Sequence, residues 1–196
     1  MTTGRHRWRF ATLAALVGLA ACASPNPRLY TIAPVDGAAQ AGGPKIVLLQ
    51  QIGLARYLER SQIVHSSENY RLDVMADDWW GEPPSAMLSR VLIEELSQRL
   101  PQSAVLGENG AVSYPADATI ALNVQRLDQD AAGNLVLLAQ AAVSFKGQPV
   151  PVLPSYRFVV ASQAAGAQPE VAAISVALGR LADGLTSVLL AGPAAR

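Results

Sequence analysis

The stretch TIALNVQRLDQDAAGNLVLLAQAAVSF, Thr119 to Phe145, decides the fold. In its first half Ile120, Leu122 and Val124 alternate with Thr119, Ala121, Asn123 and Gln125. In its second half Leu135, Leu137, Ala139, Ala141, Val143 and Phe145 fall on one face. A period of two is that of an extended strand with one face buried. Asp128 to Gly133, rich in turn-forming residues, connects the halves, so the pattern predicts a long antiparallel hairpin.

Working outward, Tyr156 to Ala161 reads as a third strand behind the loop Gly147 to Pro154. Pro169 to Leu190 reads as a helix, because Val171, Ile174, Leu178, Leu181, Leu185 and Val188 step by three and four residues and Gly192-Pro193 supplies a stop. Upstream, Pro83 to Leu100 reads as an amphipathic helix closed by Pro101. Leu88, Val91, Leu92, Leu96 and Leu100 form its apolar stripe, with Ser89, Arg90, Glu94, Ser97 and Gln98 largely opposite. Further back, Arg28 to Ile32 is a short strand and Ala33 to Pro44 a loop. Lys45 to Ile52 is a buried strand and Gly53 to Gln62 a turn or short helical piece. Ile63 to Ser66 and Tyr70 to Met75 are strands around a turn at Ser67-Glu68-Asn69. Strands, helix, strands, helix, with hairpins dominating, predict an α+β fold: a mixed, mainly antiparallel sheet with two amphipathic helices on one face.

The amino terminus carries a different message. Arg5, His6, Arg7 and Arg9 precede an apolar run from Phe10 to Leu19, and small residues follow. That order is the pattern of an export signal, and ten apolar residues are too few to span a bilayer. Leu19-Ala20-Ala21-Cys22 resembles the bacterial lipobox, and Cys22 is the only cysteine in the chain. The resemblance implies cleavage before Cys22, addition of diacylglycerol to its thiol and acylation of its amine, palmitate being a typical chain. Each buried methylene contributes about 0.8 kcal/mol and one chain anchors only marginally, so three acyl chains make a durable anchor. Ala23, not aspartate, follows the cysteine, which by the same resemblance implies the outer membrane. The expected organisation is a signal peptide over 1–21, a lipidated tether over 22–27, one domain over 28–192 and a loose tail over 193–196.

Removing Arg5, Arg7 and Arg9 leaves twelve basic residues against fifteen acidic ones. No Lys/Arg run remains, which argues against nucleic acid as a partner. There is no G-x-x-x-x-G-K-[ST] loop for a nucleotide. His65 is the only histidine after the signal; without a second histidine or a thiolate it makes no usual zinc site, and no nucleophile elbow surrounds it. Asp77-Asp78 lacks the spacing of a calcium loop and reads as solvated acidity. The expectation is a non-enzymatic chain with no catalytic residue, metal or cofactor.

Four segments carry a family resemblance. Leu29-Tyr30-Thr31-Ile32 matches an early "Y-x-L" strand. Residues 52–64, IGLARYLERSQIV, look like "V-x-L-P-x-Y-L-D-R-x-Q-I-V". Asp78-Trp79-Trp80-Gly81-Glu82-Pro83 looks like "R-W-A-E-P", and the last helix fits "VAA-x-S-x-AL-x-x-LA". Gly53, Ala55 and Asp78 depart from these patterns. Over about Arg28 to Leu190 the chain resembles the ABC-transport auxiliary lipoproteins of the PqiC/YmbA type. The resemblance implies a periplasm-facing outer-membrane subunit of an MCE-type lipid transport system, with an MCE-domain protein and its permease and ABC components as partners. A homo-oligomer fits such a docking role. Tyr57, Arg60 and Gln62 are either a partner-binding surface or a structural turn in which Tyr57 packs, Arg60 pairs with a carboxylate and Gln62 caps. Trp79 and Trp80, adjacent in extended chain, either point to opposite sides, one towards the core and one able to meet a protein or lipid partner, or both cover the helix entry. Two rivals stand beside the docking reading. One is a lipid carrier holding its cargo between the Leu135–Phe145 strand and the Ala-rich last helix; the other is an envelope-stability lipoprotein without a transport role.

Overall fold

The computed structural model describes residues 26–112 and 114–193. The expected signal peptide, Cys22 and the end of the tail lie outside the described residues. The elements in chain order are β1 (Arg28–Tyr30), β2 (Ile46–Leu49), β3 (Gly53–Leu54), β4 (Gln62–Ser66), β5 (Asp73–Trp80), α1 (Pro84–Arg99), β6 (Ala104–Gly107), β7 (Ala118–Gln129), β8 (Asn134–Phe145), β9 (Ser155–Ala161) and α2 (Ala167–Ala191).

Everything is built on β7. One edge pairs antiparallel with β8 along its whole length, and β8 pairs antiparallel with β9. The other edge is shared in succession by β2, β3 and β4, all parallel to it. The sheet forks there: β2 continues to β6, while β4 continues to β5 and then β1. The long ladders are antiparallel and the short ones parallel, so the sheet is mixed and mostly antiparallel, as the sequence predicts.

A register shift at Gln125 sets the chemistry of the two faces. Before it Ile120, Leu122 and Val124 face the helices. After it Leu127, paired with Leu137, takes that side. The extra residue turns Arg126 and Asp128 to the opposite face, and without it Arg126 would point into the core. Both helices pack on the apolar side. Met87, Leu88, Val91, Leu92 and Leu96 of α1 are buried there with Ile174, Ala177, Leu178, Leu181 and Leu185 of α2. α2 is long and apolar enough to cross a membrane, but its apolar side is used against the sheet and α1.

The sequence reading needs five corrections. β6 was not anticipated. The turn or short helical piece expected over Gly53 to Gln62 opens with a strand at Gly53–Leu54, which β7 pairs, and Gln62 already belongs to β4. β5 runs on to Trp80, because β1 pairs with it at Asp78–Trp80, so the segment expected to lead into the helix is strand. β7 extends to Gln129, inside the expected connector; the turn that remains is closed by Asp130, whose Oδ1 accepts from the amides of Ala132 and Asn134, with Gly133 at φ 80°. Asp78 is not solvated: it is 7% exposed and paired with Arg28 at 2.8 Å.

Ala33 to Pro44 has no regular structure, but it is held as a strap over both helices. The amide of Ala33 donates to Ser175 Oγ (3.2 Å), that of Val35 to Glu95 Oε1 (2.8 Å) and that of Gln40 to the Arg99 carbonyl (2.8 Å). Gly37 sits on the Arg99 guanidinium so closely that a Cβ there would lie 2.3 Å from Cζ. Glu95 and Arg99 lie on the buried stripe of α1 and tie strap, α1 and α2 together. Glu95 Oε2 has no partner, and burial pushes the carboxyl up to about 7 against the hydrogen bond from Val35 and the charge of Arg99.

The sign of the resulting pH dependence is fixed. The folded chain keeps the Glu95 proton to about pH 7, whereas the unfolded chain releases it near its ordinary 4.5. This group therefore makes the fold less stable as pH rises through that window. Glu95→Gln should flatten the decline by about 2–3 kcal/mol, read as urea midpoints from pH 4.5 to 8. An unchanged slope in the variant would refute the assignment.

Candidate functional site

The loop joining β3 to β4 doubles back on itself. Ala55 donates to the Val124 carbonyl (3.0 Å), Leu58 to that of Ala55 (2.8 Å) and Arg60 to that of Leu58 (2.9 Å). The Ser61 carbonyl then accepts from the Trp80 amide (2.7 Å), which ties the loop to the end of β5. Leu58, 6% exposed, is driven inward among Leu54, Val64, Met87, Leu127 and Ile174. The turn that buries Leu58 leaves Glu59 and Arg60 outside.

An open cleft of ≈ 340 Å³ results, with Glu59, Arg60 and Ser61 on one wall and Trp80, Gly81, Glu82 and the two prolines on the other. Trp80 divides its ring between core and cleft, lining both the Leu58 pocket and this opening. Glu82 is held by Arg90, which also donates to Thr31 Oγ1. Arg60 makes no ion pair among the described residues, so the carboxylate partner expected of a purely structural turn is not seen. An unpaired arginine beside a half-buried tryptophan is a combination enriched at the energetic centres of protein interfaces.

The other expected residues are arranged differently. Gln62 is not a cap; it lies in β4 opposite Trp79. Trp79 faces away from Trp80, and its indole Nε1 donates to the Ala76 carbonyl at 2.9 Å. Tyr57 turns under the loop to the far side of the sheet, where its hydroxyl donates to Asp128 Oδ2 at 2.7 Å. Burial and the Asp128 charge both raise the Tyr57 pKa. Arg126 completes that cluster, donating to Asp128 Oδ1 (2.8 Å) and Glu68 Oε1 (2.6 Å). The structure thus gathers Arg60 and Trp80 in one cleft, places Gln62 and Trp79 in the next row, and gives Tyr57 to a structural network.

A second polar group was missed by sequence reasoning. Glu170, fully buried in the first turn of α2, has Oε2 2.7 Å from His65 Nδ1 and 3.1 Å from Gln129 Nε2. Burial pushes its carboxyl up to about 7, with His65 opposing. The neighbouring Ser66 hydroxyl donates to the Gln129 carbonyl (3.1 Å), so it is held by backbone instead of by the imidazole. The arrangement can hold a proton between His65 and Glu170 and offers no nucleophile to it. Among the described residues, no three His, Cys, Asp or Glu side chains gather as a metal-binding group.

Comparison with known proteins locates this architecture. A crystal structure of an uncharacterized protein overlays with a TM-score of 0.70 at 15% identity, over 83% of this chain and 97% of that one. Protein XCC0632 from Xanthomonas campestris, described as DUF330, gives 0.68 at 17%, over 85% and 95%. A PelC dodecamer from Paraburkholderia phytofirmans gives only 0.45 at 14%, over 81% and 96%. At these identities the first two show a shared fold. No curated protein matches the chain. The family model described as "ABC-type transport auxiliary lipoprotein component" matches residues 29–185, from β1 to within the last two turns of α2. With that model spanning the sheet, both helices and the cleft, the chain belongs to the family of ABC-type transport auxiliary lipoprotein components.

Proposed function

We propose that this chain is a non-enzymatic subunit of an MCE-type lipid transport system, anchored in the outer membrane through acylated Cys22, and that it docks the conduit through the Arg60–Trp80 cleft. The observation that carries the reading is the family match, whose description joins a lipoprotein to an ABC-type transporter. The Leu19–Cys22 segment supplies the lipid attachment, and the cleft supplies a surface where an unpaired cation meets an aromatic ring. In this role the sheet and helices form a rigid body, and the partner brings the transport chemistry.

The carrier alternative is weakened by the packing. The space it needs lies between β8 and α2, and Leu135, Leu137, Ala177, Leu181 and Leu185 fill it at 0–1% exposure. Ligand sites for drug-sized molecules occupy roughly 300–1,000 Å³; the pocket inside the core around Leu58 offers ≈ 20 Å³, and the ≈ 470 Å³ opening where Phe145 meets Leu189 and Leu190 lies at the end of the strand with Asp117, Lys146 and Gln148 in its lining, not between sheet and helix.

Arg60→Glu tests the docking surface. The side chain is exposed and unpaired, so folding stability should move by no more than about 0.5 kcal/mol. Loss of an interface arginine with charge reversal should weaken partner capture at least about tenfold. Quantitative co-purification with the MCE-domain protein, alongside a thermal melt, reads both. Undiminished capture by a folded variant would remove the cleft from the interface.

A further inference from the structure

Leu29 of β1 and Trp79 of β5 are direct partners across a parallel pair, so their side chains share one side of the sheet. It is the side away from the core: Tyr30 and Trp80, one residue on, pack inward. Leu29 is 66% exposed and Trp79 partly exposed. Gln62, opposite Trp79 on its other flank, continues the row, which contains no ionised side chain. The only polar atom of the Trp79 ring is already satisfied by Ala76, so what the indole presents outward is hydrocarbon. The Leu29–Trp79 pair enters the boundary between headgroups and acyl chains with no hydrogen bond to give up, while Gln62 stays at its polar side.

What covers this patch follows from its distance to Cys22 along the chain. Cys22 precedes Leu29 by seven residues, two of which are Pro25 and Pro27. Fully extended, that length reaches at most about 25 Å. If Cys22 carries the acyl chains, the patch is leashed to the leaflet, and even a weak apolar contact is populated because tethering makes it intramolecular.

We infer that the Leu29–Trp79 patch seats on the lipid surface that holds the Cys22 anchor, fixing the orientation of the domain on the membrane. The inference rests on the anchor proposed above, and the test separates the two. Full-length acylated protein is reconstituted into phosphatidylcholine vesicles with or without acyl-chain bromine, and flotation and tryptophan emission are read on the same samples. The wild-type protein should float and lose emission in the brominated vesicles. Trp79→Phe should float equally but show no such loss, and Leu29→Gln should reduce it. Because the row is uncharged, 0.5 M salt, at roughly a 4 Å Debye length, should leave the loss in place. Floating protein whose emission is unaffected by bromine, or a loss that persists in Trp79→Phe, would overturn the inference and leave the anchor standing. Protein that fails to float would overturn both.

Discussion

Arg99→Ala is expected to lower the stability of the domain by about 3–5 kcal/mol, the range for breaking a buried, hydrogen-bonded charge. The Arg99 side chain is 2% exposed. Its Nε donates to Asp183 Oδ1 at 2.6 Å, and its terminal nitrogens donate to the carbonyls of Val35 (3.2 Å), Glu95 (3.1 Å) and Gly179 (3.1 Å). Truncation leaves a cavity between two helices and the strap, and strips the Val35 carbonyl of its partner. Asp183 is 61% exposed and is rehydrated easily, so the cost falls mainly on the carbonyls and the void. Arg99→Lys keeps the charge but not the planar fork and should lie between wild type and alanine. Urea unfolding reads the series; a loss below about 1 kcal/mol for alanine would show that the strap does not depend on this residue.

Cys22→Ser is expected to remove the protein from the outer membrane almost completely while leaving its fold unchanged. Serine lacks the thiol on which the proposed anchor is built, and in the order that the lipobox resemblance implies neither cleavage before residue 22 nor acylation of the amine follows without it. No described element depends on residue 22: β1 begins at Arg28, and the strap is held by Ser175, Glu95 and Arg99. Membrane fractionation with mass measurement of the mature amino terminus checks both halves. A serine variant that still pellets with the outer membrane, resisting salt and carbonate washes, would mean that something other than a Cys22 lipid holds the chain.

The hairpin and both helices were legible because their burial is local in sequence. From Leu135 to Phe145 every second residue is apolar and buried, even though Val136 is buried as well, and the stripe of α2 repeats every three or four residues. The elements that were missed are those that non-local pairing creates. Ala104–Gly107 is too short to show a period and is a strand because β2 offers it an edge. Asp78–Trp80 reads as a lead into a helix until β1, about fifty residues earlier, pairs beside it. The bulge at Gln125 was written in the sequence as the step from Val124 to Leu127, three residues where two would keep the phase.

The candidate site divides along the same line. Arg60 and Trp80 are twenty residues apart, and the pairing of Gln62 with Trp79, together with the hydrogen bond from the Trp80 amide to the Ser61 carbonyl, brings them to one cleft. Tyr57 stood in the same motif and serves a different end, because the turn directs it to Asp128. Glu95 and Arg99 could have been found, since they continue the stripe of Leu88 and Leu92, and a charge on an apolar stripe asks for a buried partner. The contact of Glu170 with His65 could not, since it joins the start of α2 to β4 across 105 positions.

The central claim is that the chain docks a lipid-transport complex from a lipid anchor. The most direct test is affinity purification of full-length acylated protein from mildly crosslinked, detergent-solubilised envelopes, with Cys22→Ser in parallel and mass spectrometry of what is recovered. The account predicts an MCE-domain protein, with its permease, in the wild-type sample and a weakened or lost signal in the serine variant. Recovery of neither an MCE-domain protein nor a permease with the wild-type chain would contradict it.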